Sequence, residues 1–194
     1  IQARAKINWT LDVVGTLPNG YHDLDMLMQS VTLCDQMTME EAPQLSLYVR
    51  AQGRAFVPAD GNNLVLKAAA ALQAATGCTR GARITLKKYI PVAAGMGGGS
   101  SDAAAVLRGL RKLYAPELPM EALERMGMEL GSDVPYCVRG GTVLVQGKGE
   151  QLLSLRALPE CWFVVCKPQV SFSTAEMYRR LDEAGMAVHP DTRR

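Results

Sequence analysis

Polar and apolar residues alternate strictly from Ala5 to Val13, with apolar side chains at odd positions and polar ones at even positions. Period two over this length predicts a strand with one buried face. It also places Lys6 and Asn8 on one polar side, about 6–7 Å apart. Leu17-Pro18-Asn19-Gly20 reads as a turn, because Pro fixes φ and Asn-Gly tolerates positive φ; Tyr21-His22-Asp23 follows at once. Residues 30–39 and 45–50 predict further strands. Asn63 is placed to cap a helix over residues 64–76, with Gly77 as its stop. Residues 82–90 predict a strand ended by Pro91. After the glycine-rich stretch 94–102, Val106, Leu107, Leu110 and Leu113 recur at helical spacing. Pro119 and Gly131 bracket another helix, and residues 142–145 and 162–166 predict short strands. Ser173 and Glu176 form an S-x-x-E capping box for a helix reaching about Ala184. Strands dominate early and helices follow without a regular βαβα rhythm, so the fold class is α+β. The boundary falls near residues 155–160. The segment after it ends in His189-Pro190-Asp191-Thr192-Arg193-Arg194 without a closing element. Residues 1–157 are therefore expected to form one domain, and 158–194 the beginning of a second whose remainder is absent.

Composition narrows the function classes. The chain has 194 residues, 48% hydrophobic and 21% charged, with a net charge of only +2. This balance excludes a disordered tail and a coiled coil, and it argues against a protein that grips nucleic-acid backbone. No run approaches the roughly 18 apolar residues of a membrane span, so no membrane partner is expected. Ile1-Gln2-Ala3-Arg4-Ala5-Lys6 lacks the apolar core of a signal peptide, and without an initiator Met the true start is expected upstream. The five cysteines are odd in number and form no CxxC pair. They read as small reduced fillers of a cytoplasmic protein rather than as a metal site or a disulfide framework.

The chemistry concentrates in residues 94–102, Ala-Gly-Met-Gly-Gly-Gly-Ser-Ser-Asp. Glycines let backbone N–H groups approach a ligand, and the start of the following helix adds partial positive charge. Serine hydroxyls donate to phosphate oxygens, so the expected ligand is a phosphate chain. The competing interpretation is a flexible connection with Ser101 as an ordinary N-cap. No Lys follows the glycines, which excludes a Walker A loop, and Ser100 stands where a dinucleotide fingerprint needs its third glycine. Asp102 would repel phosphate if it faced the loop, so it is expected to point away or towards a metal.

The run from Pro91 to Ala104 resembles the phosphate-binding motif of the GHMP small-molecule kinases. Ala5-Lys6-Ile7-Asn8, Gly20-Tyr21-His22 and Gly131-Ser132-Asp133-Val134-Pro135-Tyr136 narrow the resemblance to the 4-diphosphocytidyl-2-C-methyl-D-erythritol kinases of isoprenoid biosynthesis. The resemblance implies a ribosomal-protein-S5-domain-2-like fold with left-handed βαβ crossovers, followed by the start of a C-terminal domain. It implies ATP and Mg²⁺ as cofactors, a small-molecule substrate carrying cytidine diphosphate, and phosphorylation of that substrate's 2-hydroxyl. It assigns Asp133 as general base with Lys6 beside it. It assigns Pro91, Ala94, Gly95, Met96, Gly97, Gly98, Gly99, Ser100 and Ser101 to the phosphates, and Asn63 and Leu64 to the adenine side. Asn8, Tyr21, His22, Thr174 and Tyr178 fall on the substrate, the aromatic rings against cytosine. No residue is assigned to a metal. Without the resemblance, Asp133 reads as a turn residue, Lys6 as a solvated strand face, Asn63 as a helix cap and Tyr21-His22 as rim packing. Met96 stands where the family often has Leu, and Ser132 where Ala is usual. Two alternatives stay open: a GHMP kinase acting on homoserine or mevalonate, and a non-catalytic nucleotide-binding module.

Overall fold

β2 (His22–Ala42) is the spine of a six-stranded sheet in the computed structural model, which describes residues 1–51, 57–168, 173–185 and 189. β1 (Gln2–Thr16) runs antiparallel along it from His22 to Gln36. β5 (Thr142–Gly147) pairs antiparallel with residues 24–29 of β2, and β4 (Gly81–Lys88) with residues 36–42. β3 (Ser46–Ala51) lies parallel to β4, and β6 (Gln151–Ser154) closes the sheet against β5. The crossover from β3 to β4 carries α1 (Leu64–Thr76). Its ends are as the sequence predicts: the Asn63 side chain accepts from Val65 N at 2.9 Å, and Gly77 is left-handed. α2 (Gly98–Tyr114), α3 (Met120–Leu130) and α4 (Val134–Arg139) follow. The core lies between the sheet and these helices, where Met28, Met37, Ile84 and Leu86 meet Leu72, Val106, Leu107 and Tyr136. The buried alanines of α1 and α2 let these two helices approach closely. α5 (Thr174–Ala184) buries no residue; the Ser173 side chain caps it by accepting from Glu176 N.

Three expectations need correction. β1 buries its odd face only in part: Ala5 and Val13 are buried, but Trp9 and Leu11 are exposed while Lys6 and Asp12 are buried. Its register against β2 shifts between Arg4 and Lys6, Asn8 and Thr10, and Val13 and Gly15. At Asn8/Thr10 and Val13/Gly15 the extra residue lies in β1 and switches which parity faces inward, whereas at Arg4/Lys6 the extra residues lie in β2. Residues 162–166 are not a strand. They join no ladder of the sheet among the described residues: Phe163 meets Trp9 of β1 through its ring alone, and Trp162 and Val164 stay almost fully exposed. The competing interpretation with Ser101 as N-cap does not hold: the helix after the glycines begins at Gly98, and its N-cap is Gly97. The strand expected over 30–39 is the middle of the much longer β2. α4 and β6 were not foreseen.

Candidate active site

α2 begins inside the glycine run. Its N-cap, Gly97, supplies no side-chain hydrogen bond, so the first backbone N–H groups of the helix are left for a ligand. Gly95 and Gly97 both adopt left-handed backbone, at φ 70° and 65°. A cavity of about 380 Å³ lies over this loop. Pro91, Ala94, Gly95, Met96, Gly97, Gly98, Gly99 and Ser100 line it, together with Asn63 and Leu64 at the start of α1. Every residue assigned to the nucleotide is therefore brought together except Ser101. That hydroxyl donates to the Arg4 carbonyl and lies 3.5 Å from Cys137 Sγ, which turns it into the core. Asp102 pairs with Lys88 at 2.6 Å, beside a second carboxylate, Asp35. The glycines, the free helix start and the absence of side-chain bulk fit a phosphate chain.

A second cavity of about 820 Å³ opens beside the first, and Gly95, Gly97 and Ser100 line both. Lys6 and Asp133 stand at this junction, Nζ to Oδ2 at 3.4 Å. Lys6 also donates to Asn8 Oδ1 at 3.1 Å, so the shared side of β1 expected for these two residues is present despite the bulges. Asp133 sits at the N-cap position of α4 and makes no capping hydrogen bond, which leaves its carboxylate turned to the cavity. The Lys6 N–H donates to the Met96 carbonyl at 3.0 Å and stitches β1 to the glycine loop.

The far end of the larger cavity is aromatic. His22 at the start of β2 and Tyr178 of α5 stack with centroids 4.4 Å apart and planes 16° from parallel. His22 Nε2 lies 2.8 Å from Asp182 Oδ1, which fixes the ring edge. Tyr21 and Thr174 also line this end, and Lys148 Nζ lies 5.6 Å from the Tyr21 ring centroid. Lys148, Arg179 and Asp182 were missed at the sequence level. They are surface charges of a turn and a helix, and no local pattern separates them from solvated ones. Residues 170–172, which precede Thr174, lie outside the described residues.

Comparison with known proteins follows the same lines. Residues 63–141 match the model of the GHMP kinases N terminal domain. The chain is 45% identical over 193 residues to the 4-diphosphocytidyl-2-C-methyl-D-erythritol kinase of Bacillus pumilus, covering 100% of this chain and 66% of that one. It is 47% identical over 182 residues to the kinase of the same name from Exiguobacterium sibiricum, covering 94% and 63%. It thus spans just under two thirds of the length of these curated relatives. Among solved structures, a 4-(cytidine 5'-diphospho)-2C-methyl-D-erythritol kinase superposes with a TM-score of 0.68 at 38% identity, over 82% of this chain and 55% of that one. A homoserine kinase from Cytophaga hutchinsonii, at 19% identity and a TM-score of 0.59 over 91% and 59%, shares the fold. No helix among the described residues is long and apolar enough to cross a membrane.

Proposed function

The chain belongs to the GHMP kinases, and from that premise we propose that it transfers the γ-phosphoryl group of ATP to the 2-hydroxyl of 4-diphosphocytidyl-2-C-methyl-D-erythritol, in the non-mevalonate route to isoprenoids. Residues 1–157 are the ATP-binding domain in this reading, and 158–194 the beginning of a second domain. The observation that carries it is the junction of the two cavities. Lys6 and Asp133 stand where a loop suited to phosphates meets a pocket with an aromatic end.

The roles follow from that arrangement. The glycine loop holds the phosphates through backbone N–H groups, with Asn63 and Leu64 on the adenine side. Asp133 accepts the proton of the attacking hydroxyl, and Lys6 offsets the charge on the transferring group. Asn8 orients the substrate through its side-chain amide. Tyr21, His22 and Tyr178 offer flat faces to cytosine, and Thr174 lies beside them. No group of three or more His, Cys, Asp or Glu side chains among the described residues is arranged to hold a metal. Magnesium would then be carried by phosphate oxygens and water, as suits an ion that dehydrates reluctantly. When bound it neutralises phosphate charge. Five free cysteines among the described residues suit a reducing, cytoplasmic setting.

The test is an endpoint assay by mass spectrometry with ATP, Mg²⁺ and one acceptor at a time. The cytidine compound is expected to gain one phosphate, while homoserine and mevalonate stay unchanged. Phosphate on either of those, or on none, overturns the reading. The aromatic end gives a sharper expectation. A base stack is worth about 1–3 kcal/mol, so His22→Ala should raise KM for the cytidine substrate by roughly 5- to 150-fold and leave KM for ATP unchanged. Equal effects on both would remove His22 from the substrate pocket.

A further inference from the structure

Lys88 ends β4 directly beneath the glycine loop. Its ammonium lies between the carboxylates of Asp35 on β2 and Asp102 on α2, and all three side chains are buried. A methyl group added at Gly98 would come within 3.3 Å of Lys88 Nζ, so this ammonium lies against the backbone of the glycine loop. Lys88 and Asp102 also line the nucleotide cavity. The two carboxylates differ in their partners. One Asp35 oxygen accepts from Tyr89 N and Ile90 N, the other from Lys88. Asp102 accepts from Lys88 through Oδ2, while its Oδ1 is buried with no hydrogen-bond partner among the described residues.

One ammonium between two ionised carboxylates leaves one net negative charge where a phosphate chain is to settle. We propose that Asp102 is the proton-uptake residue of the nucleotide site: as the phosphates settle on the loop, its carboxylate takes one proton from solvent, and the Asp35–Lys88–Asp102 cluster passes from one net negative charge to none. The inference rests on the reading of this loop as the ATP site. The partnerless Oδ1 can carry the proton while Oδ2 keeps its hydrogen bond to Lys88. Burial already pushes the Asp102 carboxyl up to about 7, with Lys88 opposing that shift and Asp35 adding to it. A phosphate placed above it acts in the direction of Asp35, because a like charge disfavours the ionised form. Lys88 from β4 and Asp35 from β2 are the charged groups acting on it. α1 turns the apolar Leu64 towards the loop at Gly99, and β1 lays Lys6 against Gly97.

Calorimetric titration of the 194-residue chain with the magnesium complex of a non-hydrolysable ATP analogue tests this. Repeating it near neutral pH in buffers of different ionisation enthalpy counts the protons taken up. At pH 7 wild type should take up no more than about half a proton, because a carboxyl near 7 is already half protonated there, and the uptake should rise towards one proton as the pH is raised to about 8. Asp102→Asn should take up none and bind at least as tightly, since it holds the neutral state permanently. Wild-type affinity should also fall as pH rises above about 7, approaching tenfold per pH unit, the limit for one linked proton; that of the variant should stay flat. Equal proton uptake by both proteins overturns the inference, as does a wild-type affinity that ignores pH. If Asp102→Asn does not fold, the wild-type pH dependence decides alone. Absence of any nucleotide binding by wild type overturns the ATP reading and the inference with it, whereas binding without proton uptake overturns the inference only.

Discussion

Asp133→Asn should lower phosphoryl transfer by roughly 10²–10⁴-fold, the span expected for losing a positioned general base, while ATP binds as before. The substitution is nearly isosteric and removes no capping hydrogen bond, because the Asp133 side chain caps nothing on α4. Asp133 is about one-third exposed, so little stability is tied to its ion pair with Lys6. Lys6 keeps its hydrogen bond to Asn8 and its backbone bond to Met96. The fold and the phosphate loop are therefore left as they were, and what disappears is the acceptor for the hydroxyl proton. Thermal melting and ATP titration of the variant should match wild type while single-turnover phosphorylation of the cytidine substrate collapses. A loss of only a few-fold would mean that Asp133 orients the hydroxyl without taking its proton, since an amide can still hydrogen-bond to it. Unchanged turnover would remove Asp133 from the chemistry altogether.

Local signals carried much of this arrangement and failed where a neighbour decides. Asn63 and Gly77 mark the ends of α1 because capping is a property of a few consecutive residues. The same is true of Pro119 and Gly131 around α3 and of Ser173 before α5. The alternation in β1 misled because a bulge is set by the partner strand, and nothing in residues 5–13 announces three register shifts. The exposed run 162–166 has strand-like residues but joins no ladder, which no single segment can reveal. Ser101 and Ser100 are indistinguishable in sequence, yet one helical step sends the first hydroxyl to Arg4 and leaves the second at the cavity. The Lys88 cluster was missed, although the sequence carries a signal for it. Ala82, Ile84, Leu86 and Lys88 share one parity of β4, and the first three are apolar and buried. A lysine on that parity has to find carboxylates inside the core, and Asp102 sits on the next element. Lys6 and Asp133 are 127 positions apart, and only the resemblance to known kinases could pair them before the fold did.

Gly97→Ala should cost both stability and turnover, for two separable reasons. At φ 65° the backbone of Gly97 is left-handed, which costs an L-residue about 1–2 kcal/mol. An alanine Cβ there would also lie 2.9 Å from Lys6 Cγ and 3.3 Å from its Cε. That part of the chain cannot simply swing aside, because the Lys6 N–H is tied to Met96 and its Nζ is held by Asn8 and Asp133. The lysine must move away from the junction of the two cavities. A displacement of about 1 Å in a positioned group can cost on the order of 10²-fold in rate, so kcat should fall by roughly that factor, with a melting temperature lowered by roughly 2–8 °C. Gly95→Ala supplies the comparison. Its φ of 70° carries the same backbone cost, but its added Cβ meets nothing within 4 Å. It should therefore lose similar stability while keeping most of its kcat. Equal losses of kcat in the two variants would mean that loop strain, and not the position of Lys6, governs the reaction. A selective loss in Gly97→Ala would show that the glycine loop and Lys6 are set by one steric contact, so that the glycine at this position serves the acceptor side of the site as much as the nucleotide side.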